Sequence, residues 1–249
     1  MRFDIAIFLA IIVCFTAIHF IEISSYLARL SGVESGNNAL AYATQSAVFM
    51  ATRFFSMLLL PMLGLVVDLK VETGTYLIVV SVAIGCAFLA SLGAIALRGK
   101  LIASFDLVVG DVRKGGSLLF SLAKVPIRVF VVSGFSPAIG SITVHWRSRI
   151  FWFSAVVFSI YATSIFVAFY FGLIFSEFRT SISQLSAVTN ALATVLLTFY
   201  VEPRISVAID KGDDPAKKIF SMLLGRLLGL GVLAYLPLIG LWLVFSRSA

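Results

Sequence analysis

The chain has 249 residues, of which 60% are hydrophobic and 12% charged, and its mean hydropathy is +1.06. A soluble domain of this length cannot bury so much apolar side chain, so an all-α polytopic membrane protein is expected, with one transmembrane domain over residues 1–249. The formal charge of +7 lies in the links between apolar runs, which points to membrane orientation and anionic lipid headgroups and excludes nucleic acid as the reason for it.

A bilayer core takes about 20 apolar residues in a helix. Six stretches meet that template, at about 3–28, 39–67, 76–97, 150–176, 181–201 and 219–246. The first contains IAIFLAIIVCFTAI, which runs past signal-peptide length without a small-x-small exit and reads as a retained span. Its second half carries His19, Glu22, Tyr26 and Arg29. At 100° per residue these four fall within about 80° of one another, on one helix face. Ionisable groups at membrane depth cost roughly 2.5–3.5 kcal/mol each on insertion scales and face a partner or a wet cavity. A structural pair and a substrate or proton site are both open readings of that face.

A turn is expected from Ser31-Gly32 to Asn38. The second span includes Gln45, Arg53 and Pro61, and a short link with Asp68, Lys70, Glu72 and Gly74 follows it. Span three is uncharged. The loop 98–149 is long and basic; within it residues 116–144, with Lys124, Pro126, Arg128 and Pro137, suit an amphipathic segment on the membrane surface, with a re-entrant or crossing segment as the alternative. Span four is aromatic and uncharged. Span five holds Gln184, Ser186, Thr189, Asn190, Thr194 and Thr198, with 186, 190 and 194 on one face. Glu202-Pro203-Arg204 is expected to stop it, proline being a helix terminator, and to open a charged loop over 202–218, with Glu202 and Arg204 as candidate gates. In span six, Arg226 lies two turns in, where it can snorkel to the interface. It falls within Gly225-x-x-x-Gly229, which suits close helix packing inside the chain or in a homodimer.

Basic residues divide thirteen to four between the two sides of this six-span arrangement. The positive-inside rule therefore puts the 98–149 loop in the cytoplasm and both termini outside. The fragments Ser46-Ala47-Val48 before Pro61 and Ser186-Ala187-Val188 before Pro203, each proline followed seven residues on by Asp68 or Asp210, hint at two inverted three-helix repeats; chance similarity between apolar helices explains them as well.

Arg53 is central in its span and stays protonated, so it needs a carboxylate, carbonyls, water or an anionic ligand. Glu22 is the one carboxylate well inside a span, which makes a Glu22–Arg53 pair the simplest structural account and a phosphate-binding guanidinium the functional one. Cys14 and Cys86 sit in apolar runs and read as small hydrophobes. His19-x-x-Glu22 alone is a weak metal motif. HExxH, a P-loop, GxSxG and CxxC are all missing, which argues against an enzyme and implies neither a metal nor a cofactor.

Several residues together resemble the Amj family of lipid II flippases, small six-span bacterial membrane proteins. They are His19-x-x-Glu22, Ser25-Tyr26-x-x-Arg29-x-x-Gly32, Arg53 with Ser56-Met57, Pro61, Val67-Asp68, and later Val201-Glu202-Pro203-Arg204 and Asp210. The resemblance implies a plasma-membrane protein that moves undecaprenyl-diphosphate-linked peptidoglycan precursor, lipid II, from the cytoplasmic to the outer leaflet. On that reading Arg53 offsets the diphosphate charge at mid-membrane, Arg29 and Arg204 capture it at the boundary, and Glu22 and His19 hold Arg53 in the empty state or couple a proton to the return step. Tyr26 and Arg226 complete the candidate binding set. Asp68, Pro61, Glu202, Pro203, Asp210 and Asn190 are candidate gating or structural residues. A lateral groove is expected, because the lipid tail stays in the bilayer. A flippase for bare polyprenyl phosphate, an ion-coupled transporter of a small anion, and a non-transporting scaffold remain alternatives.

Overall fold

The structure, a computed structural model, describes residues 2–132 and 146–248. Among them every regular element is helical. In chain order these are α1 (Arg2–Ser35), α2 (Asn38–Asp68), α3 (Thr73–Ala96), α4 (Arg98–Arg113), α5 (Leu118–Ala123), α6 (Val125–Val131), α7 (Arg149–Ile174), α8 (Arg179–Leu196), α9 (Glu202–Lys211), α10 (Pro215–Leu228) and α11 (Tyr235–Ser248). Six helical runs are long and apolar enough to cross a membrane: Asp4–Val33, Asn38–Asp68, Thr73–Ala96, Arg149–Ile174, Ala191–Lys211 and Pro215–Val244. The protein is a multi-pass membrane protein of the all-α class.

The first turn comes later than expected. Helix α1 runs through Ser31 and Gly32 and ends at Gly36, whose φ of +68° is the left-handed conformation glycine adopts without strain. Gly32 serves contact instead: a Cβ there would run into Ala41 of α2. A turn signal and a helix–helix contact both call for small residues, and the sequence pattern does not separate them.

The fifth span also departs from expectation. Pro203 does not end it, and residues 202–218 are not a loop. Helix α8 continues through a π-helical turn at Leu197–Val201 into α9, so only residues 212–214 are non-helical before α10. The wider π turn, in which the Glu202 N–H bonds to the Leu197 carbonyl, makes room for the ring of Pro203, which lacks its own N–H. The apolar window thereby moves ten residues C-terminal, to Ala191–Lys211. A second π turn, Gly229–Leu233, joins α10 to α11. Pro61, by contrast, sits exposed inside an unbroken α2.

Packing is dense within α1–α4 and within α7–α11, and sparse between these two groups. Gly225 and Gly229 seat α10 against the backbone of α7; a Cβ at either would collide with the carbonyl oxygen of Phe151 or Ala155. That small-residue seam is thus filled from within the chain. In the 98–149 segment, α4 is buried on α1 through Leu101, Phe105 and Val108. Helices α5 and α6 are tied to α4 by Arg128, which donates to Asp111 at 2.6 Å, and by Ser121. They project Phe120 and Phe130 outward, 72% and 85% exposed. The remainder of the expected 116–144 amphipathic segment, residues 133–144, lies outside the described residues.

Two apolar cores are stacked along the bundle. One spans Ile7–Ile18 of α1 with parts of α2, α3, α7 and α11, toward the end that carries the chain termini. The other spans Ile23–Leu30 with α4, α9 and α10, toward the end that carries α4–α6, here termed the loop face. Between Ile18 and Ile23 lies a polar layer.

Candidate functional site: a charged groove between the two helix groups

The polar layer is built by the α1 face that carries His19, Glu22, Tyr26 and Arg29. All four side chains are buried, and each meets a residue from elsewhere in the chain. Glu22 forms an ion pair with Arg226 of α10 and accepts a hydrogen bond from the Tyr161 hydroxyl of α7 at 3.0 Å. Arg226 is 1% exposed, lies over the Phe158 ring with 4.3 Å to its centroid, and also donates to His19 Nδ1 at 2.8 Å. A guanidinium only donates, so Nδ1 is the accepting nitrogen and His19 carries its hydrogen on Nε2, which is buried without a partner.

Nearer the loop face, the Tyr26 hydroxyl donates to Glu202 at 2.9 Å. Arg29 donates to Gln45 at 3.0 Å and to Ser206 at 2.7 Å, comes within 3.7 Å of Glu202, and lies over the Tyr42 ring. Opposite charges from the two helix groups therefore face one another at Arg29 with Glu202 and at Glu22 with Arg226.

Two expectations are corrected here. Glu22 does not pair with Arg53, and Arg226 does not snorkel. The helix-packing seam of Gly225 and Gly229 carries Arg226 inward against α7, close to Glu22, and the carboxylate takes the cation that the backbone brings to it. Arg53 is left exposed. Among the described residues it has no hydrogen bond or ion pair, and its nearest aromatic contact is the Phe49 ring at 5.7 Å.

A groove runs beside the polar layer, walled by α2 on one side and α8–α9 on the other. Its part nearer the loop face is a cavity of about 340 Å³ lined by residues that include Glu22, Tyr26, Gln45, Tyr161, Glu202 and Arg226. The next part, about 510 Å³, is lined by Arg53 and Ser56 among apolar side chains such as Phe15, Leu60 and Ile165. Tyr161 and Thr194 line both and mark the boundary between them.

The other candidate residues lie apart from this groove. Arg204 is exposed and stacks over the Tyr200 ring, 3.4 Å from its centroid. Pro61, Asp68, Pro203 and Asp210 are exposed and line neither cavity. The Asn190 side chain lies outside the described residues. Tyr161, Tyr42 and Ser206 were not foreseen as site residues. Tyr161 did have a signal: a tyrosine hydroxyl in the middle of an otherwise apolar aromatic span needs an acceptor.

Fold and site together define a class, a polytopic helical membrane protein with a groove that carries charged side chains between its two helix groups. Within that class the chain belongs to the family described as "Amj: Alternate to MurJ", whose profile matches residues 14–239. It is similar to the Lipid II flippase Amj of Bacillus subtilis (strain 168), with 27% identity over 227 residues that cover 83% of this chain and 80% of the relative. No solved structure matches significantly.

Proposed function

We propose that this protein is a lipid II flippase, moving the diphosphate-linked peptidoglycan precursor across the plasma membrane from the cytoplasmic to the outer leaflet. Family membership supports the class of activity. The observation that carries the reading within this molecule is Arg53. It is a permanent cation on a largely apolar cavity, and among the described residues no protein anion pairs with it. A scaffold has no use for such a group, which costs free energy unless a ligand arrives. A guanidinium fork matches the oxygens of a diphosphate.

The loop face is cytoplasmic on the basic-residue bias. Arg29 stands at that end of the groove and Arg53 farther along it, so the diphosphate passes from the first to the second. The polyprenyl chain remains in lipid on the open side between α2 and α8. Each cavity falls in the range of about 300–1,000 Å³ typical of small-ligand sites. The full disaccharide-pentapeptide exceeds either one, so the two walls must part for it to cross. Exposed Arg113, Lys114 and Lys124, next to the apolar faces of α5 and α6, suit contact with anionic headgroups of the cytoplasmic leaflet.

The test is outer-leaflet accessibility of lipid II in cells that rely on this protein as their flippase. Arg53→Ala is expected to trap lipid II inside at unchanged protein abundance, because stability depends little on a side chain with no bond to lose. Normal accessibility in a full deletion would overturn the proposal.

A further inference from the structure

Charge at the groove does not balance when a diphosphate enters. Arg226 on the first cavity and Arg53 on the next contribute two positive charges along the groove, and Glu22 one negative. A diphosphate diester carries two negative charges at neutral pH, so its arrival leaves the site one negative charge in excess. In a low-dielectric setting an uncompensated carboxylate is costly. Among the described residues around the groove, a further cation is Arg29, whose charge Glu202 already offsets. His19 accepts from Arg226 and is neutral; Tyr161 and Tyr26 are hydroxyl donors; Glu202 adds a negative charge that Arg29 already faces. No described residue of α3 or α4, the other helices packed on α1, lines this cavity.

We infer that diphosphate binding at this groove takes up one proton, and that the proton resides on the Glu22 carboxylate. The step balances. The diphosphate oxygens replace Glu22 as the acceptor for the Arg226 guanidinium, and a proton taken up from bulk solution converts the freed carboxylate to a carboxyl group. Two arginines then face two negative charges, and the site is neutral. The Tyr161 hydroxyl stays in contact, as it can bond to either form of the carboxyl group. Glu202 lines the same cavity nearer the loop face, with Oε2 lacking a hydrogen-bond partner, and is placed to receive the proton first. One proton therefore accompanies each lipid-linked diphosphate. This inference rests on the flippase reading above.

The test uses the full chain in phosphatidylcholine nanodiscs, with lipid II as the probe, between pH 6 and 8. The dissociation constant is expected to rise up to tenfold per pH unit, the slope for one linked proton. A pH indicator in weak buffer is expected to read one proton taken up per lipid bound. In Glu22→Gln, whose amide mimics the protonated acid, uptake is expected to vanish and the dissociation constant to become flat with pH. Wild-type binding without proton uptake overturns the inference and leaves the flippase reading standing, and this arm does not depend on any variant folding. Uptake that persists in Glu22→Gln but is lost in His19→Gln assigns the proton to His19 and overturns the role of Glu22. No lipid II binding at any pH overturns the flippase reading and this inference with it.

Discussion

The two ends of this bundle are closed by different chemistry. Toward the chain termini, the two helix groups meet through an apolar core, and their polar contacts there include two hydroxyl-to-carbonyl bonds, Tyr76 to Phe166 at 2.8 Å and Tyr235 to Ser81 at 3.1 Å. Toward the loop face, they meet through Arg226–Glu22, Arg226–His19, Tyr161–Glu22, Tyr26–Glu202 and the contacts of Arg29. Apolar packing has no affinity for an anionic headgroup, whereas an ion pair can exchange its carboxylate for a phosphate. One end of the bundle is thus closed by apolar packing and the other by a charged seam.

The largest expected effect breaks the charged end. Arg226→Met leaves the buried Glu22 carboxyl without its cation, in contact with the Tyr161 hydroxyl. A loss of about 3–5 kcal/mol is expected, read as a lowered unfolding midpoint in nanodiscs. Adding Glu22→Gln replaces the orphaned carboxyl and should recover most of that stability, since a buried pair replaced by neutral groups is often close to neutral. Lipid II translocation should stay lost in the double variant. A single variant as stable as wild type would mean that the pair carries no charge at this depth.

Next comes the seam that sets the cation in place. Gly229→Leu drives a side chain into the Ala155 carbonyl of α7, where backbone cannot yield as a side-chain tip would. Overpacking of this kind costs about 1–3 kcal/mol. Because it displaces α10, it should reduce translocation more than its stability cost explains. An unchanged rate at reduced stability would separate Arg226 from the packing that positions it.

Smaller again is the effect at the apolar end. Tyr76→Phe deletes a neutral hydrogen bond and is expected to cost about 1 kcal/mol. Translocation should persist, because the surrounding core keeps the two groups in register. A translocation defect as large as that of Arg226→Met would erase the distinction between the two ends.

The sequence carried the spans and the α1 face because both rest on periodicity and on the cost of charge in lipid. It failed where the answer depended on which helices meet. Arg53 and Arg226 are equivalent as cations in apolar runs; the seam that Gly225 and Gly229 form against α7 decides that Arg226 reaches Glu22. Pro203 misled for a related reason. Proline is a stop signal in an ideal α-helix, and the π turn at Leu197–Val201 that accommodates it has no pattern in the sequence. The same continuation carries Ser206 onto Arg29, a contact that a loop over 202–218 would not have supplied.

An ion pair outside the spans sharpens the contrast with Arg226–Glu22. Arg128 donates to Asp111 at 2.6 Å and holds that carboxyl below its ordinary range, chiefly through this hydrogen bond. A carboxyl with a depressed folded value contributes stability above its unfolded value and loses it as pH falls through the folded one. The contact is therefore complete at neutral pH and is released only in acid, below the usual aspartate range near pH 4. Water screens both charges, so Asp111→Asn should leave the unfolding midpoint nearly unchanged. Its expected readout is local. Helices α5 and α6 lose their tie to α4, and amide exchange over residues 118–131 should quicken while that of α10 does not change. The same loosening should follow in the wild type on acidification. If Asp111→Asn instead lowered the global midpoint as far as Arg226→Met does, depth in the bundle would not be what separates a structural charge pair from an incidental one.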